Sequence, residues 1–211
     1  MRNLKKMFIF ALMLTMAYQG YSQTFGIKGG LNFANMLAKD YIGNFDTKML
    51  TRMNLGVTAE FGADKKFSFE TGALLSMKGA KEDYGTAEGS YKITYLDIPL
   101  LAKLKFNSGE TKFYGKIGPY LGIGLSGQSY DAGEGTKIKW GTSPDNSSEY
   151  LKKMDFGINI GAGVELGAID LGLTYGLGLA NISGMGDDTK IYNRVLSLSV
   201  GYRFGKNKAS K

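Results

Sequence analysis

The feature that most constrains the fold is a two-residue alternation of apolar and polar side chains, which recurs in eight stretches after residue 23. In the last stretch, RVLSLSVGYRFG, every second residue from Leu196 to Phe204 is apolar or aromatic, and Ser, Gly and Arg stand between them. A period of two is typical of a β-strand with one apolar face. No long stretch has the periodicity of an amphipathic helix, so we expect an all-β fold. The eight stretches cover residues 24–35, 52–62, 67–78, 92–106, 112–126, 153–166, 169–180 and 194–204.

The connections between these stretches alternate between long and short. Residues 62–66, 107–111 and 167–168 are short links rich in the Gly, Asn and Asp of hairpin turns, and the other links have roughly 13 to 26 residues. In an up-and-down antiparallel order, all short links meet at one end and all long links at the other. Transmembrane barrels have this asymmetry, with short periplasmic turns and longer outer loops. The sequence therefore predicts an eight-stranded antiparallel up-and-down transmembrane β-barrel.

The residues opposite the apolar face indicate which way that face points. Glycine, with 31 copies in the chain, is frequent there, and charges of both signs accompany it. Glycine weakens a solvent-exposed strand, whereas in a narrow eight-stranded lumen it leaves room for large neighbours such as Tyr114 and Tyr120. Enclosed charges of both signs can pair with one another, as buried charges require. We therefore expect the apolar face to contact lipid and side chains to fill the lumen.

A charge network is predicted inside this lumen. Its members are Lys28, Glu60, Glu70, Asp97, Lys103, Lys116, Asp155, Glu165, Asp170 and Arg203. Arg203 lies in an otherwise apolar closing strand, and we expect it to pair with a carboxylate in the lumen. The carboxylates could also suggest acid–base catalysis, but the matching Lys and Arg residues on the same face favour salt bridges. A lumen packed in this way is a plug rather than a pore.

The N-terminus has the three-part layout of a secretory signal peptide. A basic start precedes an apolar run of about 11 residues and then two small residues, Gly20 and Ser22. The run is too short to span a bilayer, so we expect export and cleavage between Ser22 and Gln23. We divide the chain into a signal peptide at residues 1–22, an outer-membrane β-barrel domain at 23–204 and a basic C-terminal tail at 205–211.

The composition excludes much of enzyme chemistry, because the chain contains neither cysteine nor histidine. It therefore lacks thiol nucleophiles, thiolate metal sites and the commonest general base and zinc ligand. Residues 122–127, GIGLSG, match a dinucleotide-binding pattern but lie within a predicted strand, without the βα turn that binds phosphate. Residues 184–190, GMGDDTK, carry two adjacent acids that fix no coordination geometry. We expect no enzymatic activity, no cofactor and no metal.

The distribution of charge along the chain argues against a nucleic-acid partner. The formal net charge is +7, but part of it lies in the basic N-terminus and tail, and elsewhere the two signs are interspersed. Nucleic-acid binding requires a basic stripe, so we expect no nucleic-acid partner.

Loop 127–153 carries the only tryptophan, Trp140. An outward loop with an exposed aromatic residue is the best candidate for a contact with a partner.

Four segments resemble a known family: YLDIPLLAKLKF (95–106), KIGPYLGIGL (116–125), DFGINIGAGVEL (155–166) and VGYRF (200–204). They are similar to the PorT-like, or porin-family, outer-membrane β-barrel proteins of Bacteroidetes-type bacteria, and the likeness extends over nearly all of residues 24–204. The resemblance implies an integral outer-membrane barrel of about eight strands. The family takes its name from a member associated with type IX protein secretion, which implies an accessory role in secretion.

These observations lead to one functional expectation and leave alternatives open. We predict an integral protein of the cell outer membrane with a structural, surface-interaction or envelope-complex accessory role. Its expected partners are outer-membrane lipid and proteins of the envelope or of a secretion complex. One alternative is a small-solute porin, which predicts channel conductance. Another is a soluble periplasmic ligand-binding barrel with its apolar face inward, which predicts stability in water without detergent.

Overall fold

The computed structural model describes residues 23–39, 43–83, 88–109, 111–131, 134–145, 147, 149–186 and 189–204. Eight long strands form a ring: β1 (Gln23–Lys39), β3 (Leu50–Phe61), β4 (Phe67–Asp83), β5 (Glu88–Ser108), β6 (Thr111–Asp131), β10 (Met154–Leu166), β11 (Ile169–Gly178) and β12 (Lys190–Phe204). Short strands in the described connections are β2 (Asn44–Asp46), β7 (Glu134–Lys137), β8 (Lys139–Trp140) and β9 (Tyr150–Leu151). The predicted signal peptide and basic tail lie outside the described residues.

The ring is closed, and each of its strands pairs antiparallel with two neighbours. The order is β10–β11–β12–β1–β3–β4–β5–β6, and β6 pairs again with β10. Closure occurs where β12 pairs with β1, with Leu198 opposite Leu31 and Phe204 opposite Phe25. The predicted eight-stranded antiparallel up-and-down fold is therefore confirmed. A closed ring leaves no unpaired ring edge, which is the condition for a sheet in hydrocarbon.

Short turns gather at one end of the barrel, which we call the turn side, and long connections gather at the loop side. The turn-side connections are residues 62–66, the two residues between Ser108 and Thr111, and residues 167–168. Gly109 and Gly167 have φ values of 62° and 59°. Glycine adopts this left-handed conformation without a steric penalty, and two-residue hairpin turns require it. The alternation of long and short connections along the chain therefore places all short turns at one end of the barrel and all long loops at the other.

The ring strands point their apolar residues outward and their polar residues into the barrel. Leu55 is 63% exposed and Leu198 is 53% exposed, whereas Lys103 is 1% exposed and Asp155 is completely buried. A soluble barrel around an apolar ligand cavity has the opposite arrangement, so that alternative is wrong. A continuous apolar outer surface fits a lipid environment.

Exposed aromatic rings mark the turn-side border of the apolar surface. Phe67 and Phe69 pack edge to face with 5.0 Å between ring centroids, and Tyr202 and Phe204 do so at 5.1 Å. Aromatic residues are enriched at the border between lipid and water. The shortest ring strand, β11, has 10 residues, which suffice to cross the hydrocarbon when the strand is tilted. In the part of the chain that the structure describes, no helix is long and apolar enough to span a membrane.

An apolar core covers the loop-side mouth of the barrel. Strands β5 and β6 have 21 residues each, about twice what a bilayer requires, so they extend beyond it. A parallel ladder between β8 and β9 and a bridge between Leu151 and Ser183 hold the loop segments over the mouth. This apolar cap consists of Met36, Ala80, Ile93, Tyr95, Ile138, Leu151, Ala180 and Ile182. The alternation of the strands does not predict the cap, because loop residues supply much of it.

Two neighbouring substitutions test the facing of β12. Leu198→Arg places a guanidinium on the lipid face, which costs about 2–4 kcal/mol near the bilayer centre, so the yield of folded barrel in lipid vesicles should fall. Ser199→Thr adds one methyl group inside the lumen and should keep that yield close to the wild-type value. The folded fraction can be read from the gel mobility of unheated protein in SDS. Equal losses for the two variants would contradict the facing.

Candidate functional site

The turn-side half of the lumen holds buried charges whose sign alternates around the ring. Strands β3 and β4 contribute acids, β5 and β6 bases, β10 and β11 acids, and β12 and β1 bases. We call this set the turn-side network, and it consists of Lys28, Glu60, Glu70, Lys103, Lys105, Lys116, Glu165, Asp170 and Arg203. Opposite charges therefore meet at each border between neighbouring strand pairs.

Within each turn-side hairpin, like charges lie directly opposite each other. The strand register pairs Glu60 with Glu70, Lys103 with Lys116 and Glu165 with Asp170. Like charges in this position destabilise a strand pair. A single hairpin therefore cannot neutralise its own lumen face, and the partners must come from other hairpins of the closed ring.

Lys103 is the centre of the turn-side network. Its Nζ lies 3.1 Å from Glu60 Oε2 and 3.2 Å from Glu70 Oε2 on the neighbouring hairpin. Across the lumen it lies 3.1 Å from Glu165 Oε1. An ammonium group has three donors, so the three carboxylates satisfy it. The ring of Tyr114 covers the same ammonium, with the centroid 4.1 Å from Nζ.

Glu165 joins two basic strand pairs. Lys105 Nζ lies 3.1 Å from its Oε1, and Arg203 Nη1 lies 2.6 Å from its Oε2. Arg203 Nη2 also donates to the carbonyl oxygen of Gly167 at 2.7 Å, which ties the closing strand to the β10–β11 turn. Sequence analysis predicts a carboxylate partner for Arg203, and Glu165 is that partner.

Lys28 and Lys116 complete the network. Lys28 Nζ lies 3.1 Å from Glu70 Oε1 and 3.5 Å from Asp170 Oδ1, while Lys116 Nζ lies 3.5 Å from Glu70 Oε1. Tyr114 donates its hydroxyl to Asp170 Oδ1 at 3.2 Å. Each member of the turn-side network thus has at least one oppositely charged partner, as burial in a low dielectric requires.

A second, loop-side network lies closer to the apolar cap. Lys78 Nζ is 3.1 Å from Asp97 Oδ2 and 3.1 Å from Asp155 Oδ2. Two tyrosine rings flank this ammonium, with centroids at 4.8 Å for Tyr95 and 4.6 Å for Tyr120. Asp155 Oδ2 also accepts hydrogen bonds from the Tyr120 hydroxyl at 3.2 Å and from a side-chain amide at 3.0 Å. The loop-side network comprises Lys78, Tyr95, Asp97, Tyr120, Asp155 and Asn193.

Neutral polar side chains fill the lumen between the two networks. Asn54 donates to Asn32 Oδ1 at 2.6 Å, and Ser197 donates to the same oxygen at 2.7 Å. Asn32 in turn donates to Ser76 Oγ at 3.2 Å. These residues border a cavity of about 90 Å³ that is also lined by charged members of both networks. Its volume is on the scale of a few water molecules.

Glycines on the lumen face provide the space that the tyrosines occupy. A Cβ on Gly163 would lie 2.3 Å from the Tyr114 hydroxyl oxygen, and a Cβ on Gly157 would lie 2.7 Å from a ring carbon of Tyr120. Both distances are shorter than van der Waals contact permits. The packing agrees with the expectation that lumen glycines make room for these two rings.

Trp140 lies over the barrel mouth and is half-buried rather than fully exposed. Its ring packs against Tyr95 with 6.4 Å between centroids and lies directly over Gly124. The sequence predicts a surface contact for this residue, and that role stays a prediction. In the structure the ring packs against the apolar cap.

Polar contacts order the loop that carries Trp140. Ser143 donates its hydroxyl to Asp145 Oδ1 at 2.7 Å, which lowers the pKa of the Asp145 carboxyl. A hydrogen bond to Glu149 raises the pKa of Lys139, and the two groups lie 3.3 Å apart. The Lys139–Glu149 ion pair is largely exposed, so it orders the loop more than it stabilises the fold.

The structure divides the predicted lumen charges between the two networks. Asp97 and Asp155 belong to the loop-side network, and the other predicted members belong to the turn-side network. The prediction omits Lys78 and Lys105, although the alternation of β4 and β5 puts both on the lumen face. With them, acids and bases are equal in number across the two networks. Among the described residues, no group of His, Cys, Asp and Glu side chains could hold a metal ion.

Comparisons with known proteins found a family model and several solved structures. The model of the outer membrane protein beta-barrel domain matches residues 19–184. The attachment invasion locus protein Ail of Yersinia pestis, solved with the heparin analogue sucrose octasulfate, is 16% identical, with 87% of this chain and 99% of that chain covered and a TM-score of 0.45. OprG of Pseudomonas aeruginosa is 15% identical, and the match covers 88% of this chain and 98% of OprG with a TM-score of 0.48. Outer membrane protein W of E. coli is 16% identical, and the match covers 88% of this chain and 100% of that protein with a TM-score of 0.42. No curated protein matches the chain.

Tryptophan fluorescence tests the packing of the cap. A Cβ on Gly124 would come within 2.4 Å of the Trp140 ring, so Gly124→Val must displace that ring. We expect red-shifted emission and stronger quenching by acrylamide, and the signal comes from one residue because the chain has a single tryptophan.

Gly115→Val is the matched control, since a Cβ at Gly115 meets no atom within 4 Å. Its emission spectrum should equal that of the wild type. An unchanged spectrum for Gly124→Val would show that Trp140 does not pack over the barrel mouth.

Proposed function

Because the chain belongs to the outer membrane protein β-barrel domain family, we propose that it is a closed, non-conducting barrel that acts through its loop-side surface. Its role is structural, surface-interacting or accessory to an envelope complex. The observation that carries the proposal is the filled lumen, in which Lys103 is 1% exposed and contacts three carboxylates. An eight-stranded barrel encloses only enough space for side chains.

The alternative function, a small-solute porin, is disfavoured by the ion pairs that fill the lumen. A permeating solute would have to separate Glu165 from Lys103, Lys105 and Arg203. Leaving one partner of a buried ion pair uncompensated costs about 3–5 kcal/mol, and several such pairs would open together. The solute would also have to pass the apolar cap, where Ile93 and Ile182 are completely buried.

The loop side is the surface on which a partner would bind. Short turns of transmembrane barrels face the periplasm and long loops face outward, so the apolar cap and its loops lie outside the cell. Strand β7 is exposed along its whole length, and the segment around Trp140 is held by the β8–β9 ladder. An ordered surface loses less conformational entropy on binding than a mobile one, which favours a specific contact.

The chemistry of the side chains supports a non-enzymatic role. Histidine and cysteine are absent from the sequence. Each carboxylate of the two lumen networks lies against a lysine or an arginine, so its charge is already neutralised. General acid–base catalysis requires a group that can reach a substrate and exchange its proton. The packed lumen offers no such access.

An accessory role in protein secretion is the second candidate. It is supported by the resemblance of residues 95–106, 116–125, 155–166 and 200–204 to PorT-like barrels. These segments belong to the ring strands β5, β6, β10 and β12, not to the loop-side surface. Co-purification from mild detergent extracts of the native membrane discriminates the two candidates, because secretion components would be recovered only for an accessory.

Planar-bilayer recording tests the closed lumen. The purified mature chain should insert without producing sustained current steps, because buried ion pairs and the apolar cap fill the barrel in the part of the chain that the structure describes. A parallel preparation of Leu198→Arg, whose yield of inserted barrel is expected to fall, identifies steps from contaminating channels, because such steps should be equally frequent in both preparations. Sustained steps that appear with the wild type and not with Leu198→Arg would overturn the non-conducting barrel.

A further inference from the structure

Lys116 is a buried lysine of the turn-side network with one loose ionic contact. Its Nζ lies 3.5 Å from Glu70 Oε1, which is its one acidic contact among the described residues. A charge-assisted hydrogen bond between nitrogen and oxygen is about 2.7–2.9 Å long, so this contact is a weak one. Lys28 and Lys103 compete for the same carboxylate at 3.1 Å and 3.2 Å. The charge of Lys116 is therefore only partly neutralised.

The surroundings of Lys116 contain more bases than acids. The strand register places Lys103 directly opposite it on β5 and Gly161 opposite it on β10. The turn-side network as defined above has five bases and four acids. The loop-side network has an excess of acid, but its Asp97 pairs with Gly122, which is six residues or about 20 Å further along β6. One positive charge therefore remains in excess where Lys116 lies.

Lys116 lines the central cavity of about 90 Å³, and two neutral polar residues, Asn159 and Thr174, line it as well. Glycines on the same wall leave the space in which these two side chains lie. A Cβ on Gly161 would lie 3.0 Å from Thr174 Oγ1, and a Cβ on Gly176 would lie 2.9 Å from Asn159 Oδ1. A hydroxyl supplies one hydrogen-bond donor and an amide two. The cavity thus has neutral donors in addition to the ammonium group.

The two acids that line the cavity are each held by another lysine. Glu70 Oε1 lies 3.1 Å from Lys28 Nζ, and Asp97 Oδ2 lies 3.1 Å from Lys78 Nζ. An anion in the cavity would therefore meet carboxylates that are already neutralised. At Lys116 it would meet an ammonium group that still has donors to offer.

We propose that the central cavity binds a monovalent inorganic anion, chloride, at Lys116. The ammonium group supplies the charge, and the Thr174 hydroxyl and the Asn159 amide supply neutral donors. A chloride ion is little larger than a water molecule, so it fits a cavity with room for a few waters. The excess of a single positive charge and the small volume favour chloride over a larger or divalent anion. The bound anion neutralises a charge whose burial without a partner is costly.

Anomalous diffraction from bromide tests the site, because bromide resembles chloride and scatters anomalously. The mature chain is refolded from urea into detergent in sodium bromide and crystallised. We expect an anomalous peak in the central cavity, in contact with Lys116 Nζ. Lys116→Met removes the charge at nearly constant side-chain length and should abolish the peak. Lys112→Met is the matched control, since Lys112 lies on the same strand but does not line the cavity, and it should keep the peak.

The stability of the barrel in solution provides a second readout. Chloride replaces gluconate at constant ionic strength, and the folding equilibrium constant is measured by urea titration. Binding of one anion predicts a tenfold rise in this constant for each tenfold rise in chloride well above the dissociation constant. Lys116→Met should remove this dependence, and Lys112→Met should retain it. A wild-type barrel without the bromide peak or without the chloride dependence would overturn the site, as would a peak that persists in Lys116→Met.

Discussion

The pairing of opposite charges between neighbouring hairpins is the interaction on which the interior depends. Glu60 faces Glu70 and Lys103 faces Lys116 in the strand register, so each hairpin carries a self-repelling lumen face. That repulsion is relieved when neighbouring hairpins pair, because Lys103 reaches Glu60 and Glu70 on the adjacent hairpin, and the closed ring adds Glu165 across the lumen. The filled lumen and the pairing of its buried charges therefore depend on the order in which acidic and basic hairpins follow one another around the ring.

The two ends of the barrel differ because the connections differ. At the turn side, tight hairpins leave the strand ends at the aromatic border, and a hydrogen bond from Lys105 N to Lys66 O holds the β3–β4 turn against β5. At the loop side, β5 and β6 continue past the bilayer and need a core of their own. The apolar cap supplies it, and Trp140 packs at its edge. The turn side therefore ends in tight hairpins at the aromatic border, and the loop side carries an ordered apolar cap.

Much of this architecture could be predicted from local pattern, because a strand shows its two faces at every second residue. The strands and their two faces follow from that period, and the pairing of β12 with β1 follows from closing an up-and-down order into a barrel. The identity of the charged partners does not follow from the period, because it depends on how the ring closes. The sequence predicts a carboxylate partner for Arg203, but only the closed ring shows that this partner is Glu165. The cap is not predictable from the period for a related reason, since Ile138 and Ile182 meet there from loops that are distant in sequence.

A comparison of two coupling energies tests the central claim most directly. Double-mutant cycles on the free energy of unfolding from lipid vesicles would use Lys103→Met with Glu165→Gln, and Glu60→Gln with Glu70→Gln. The account predicts a favourable coupling above about 1 kcal/mol for Lys103 and Glu165, which contact each other across the lumen, and a coupling of opposite sign for the like-charged pair within one hairpin. A coupling between Lys103 and Glu165 that is indistinguishable from zero would contradict it.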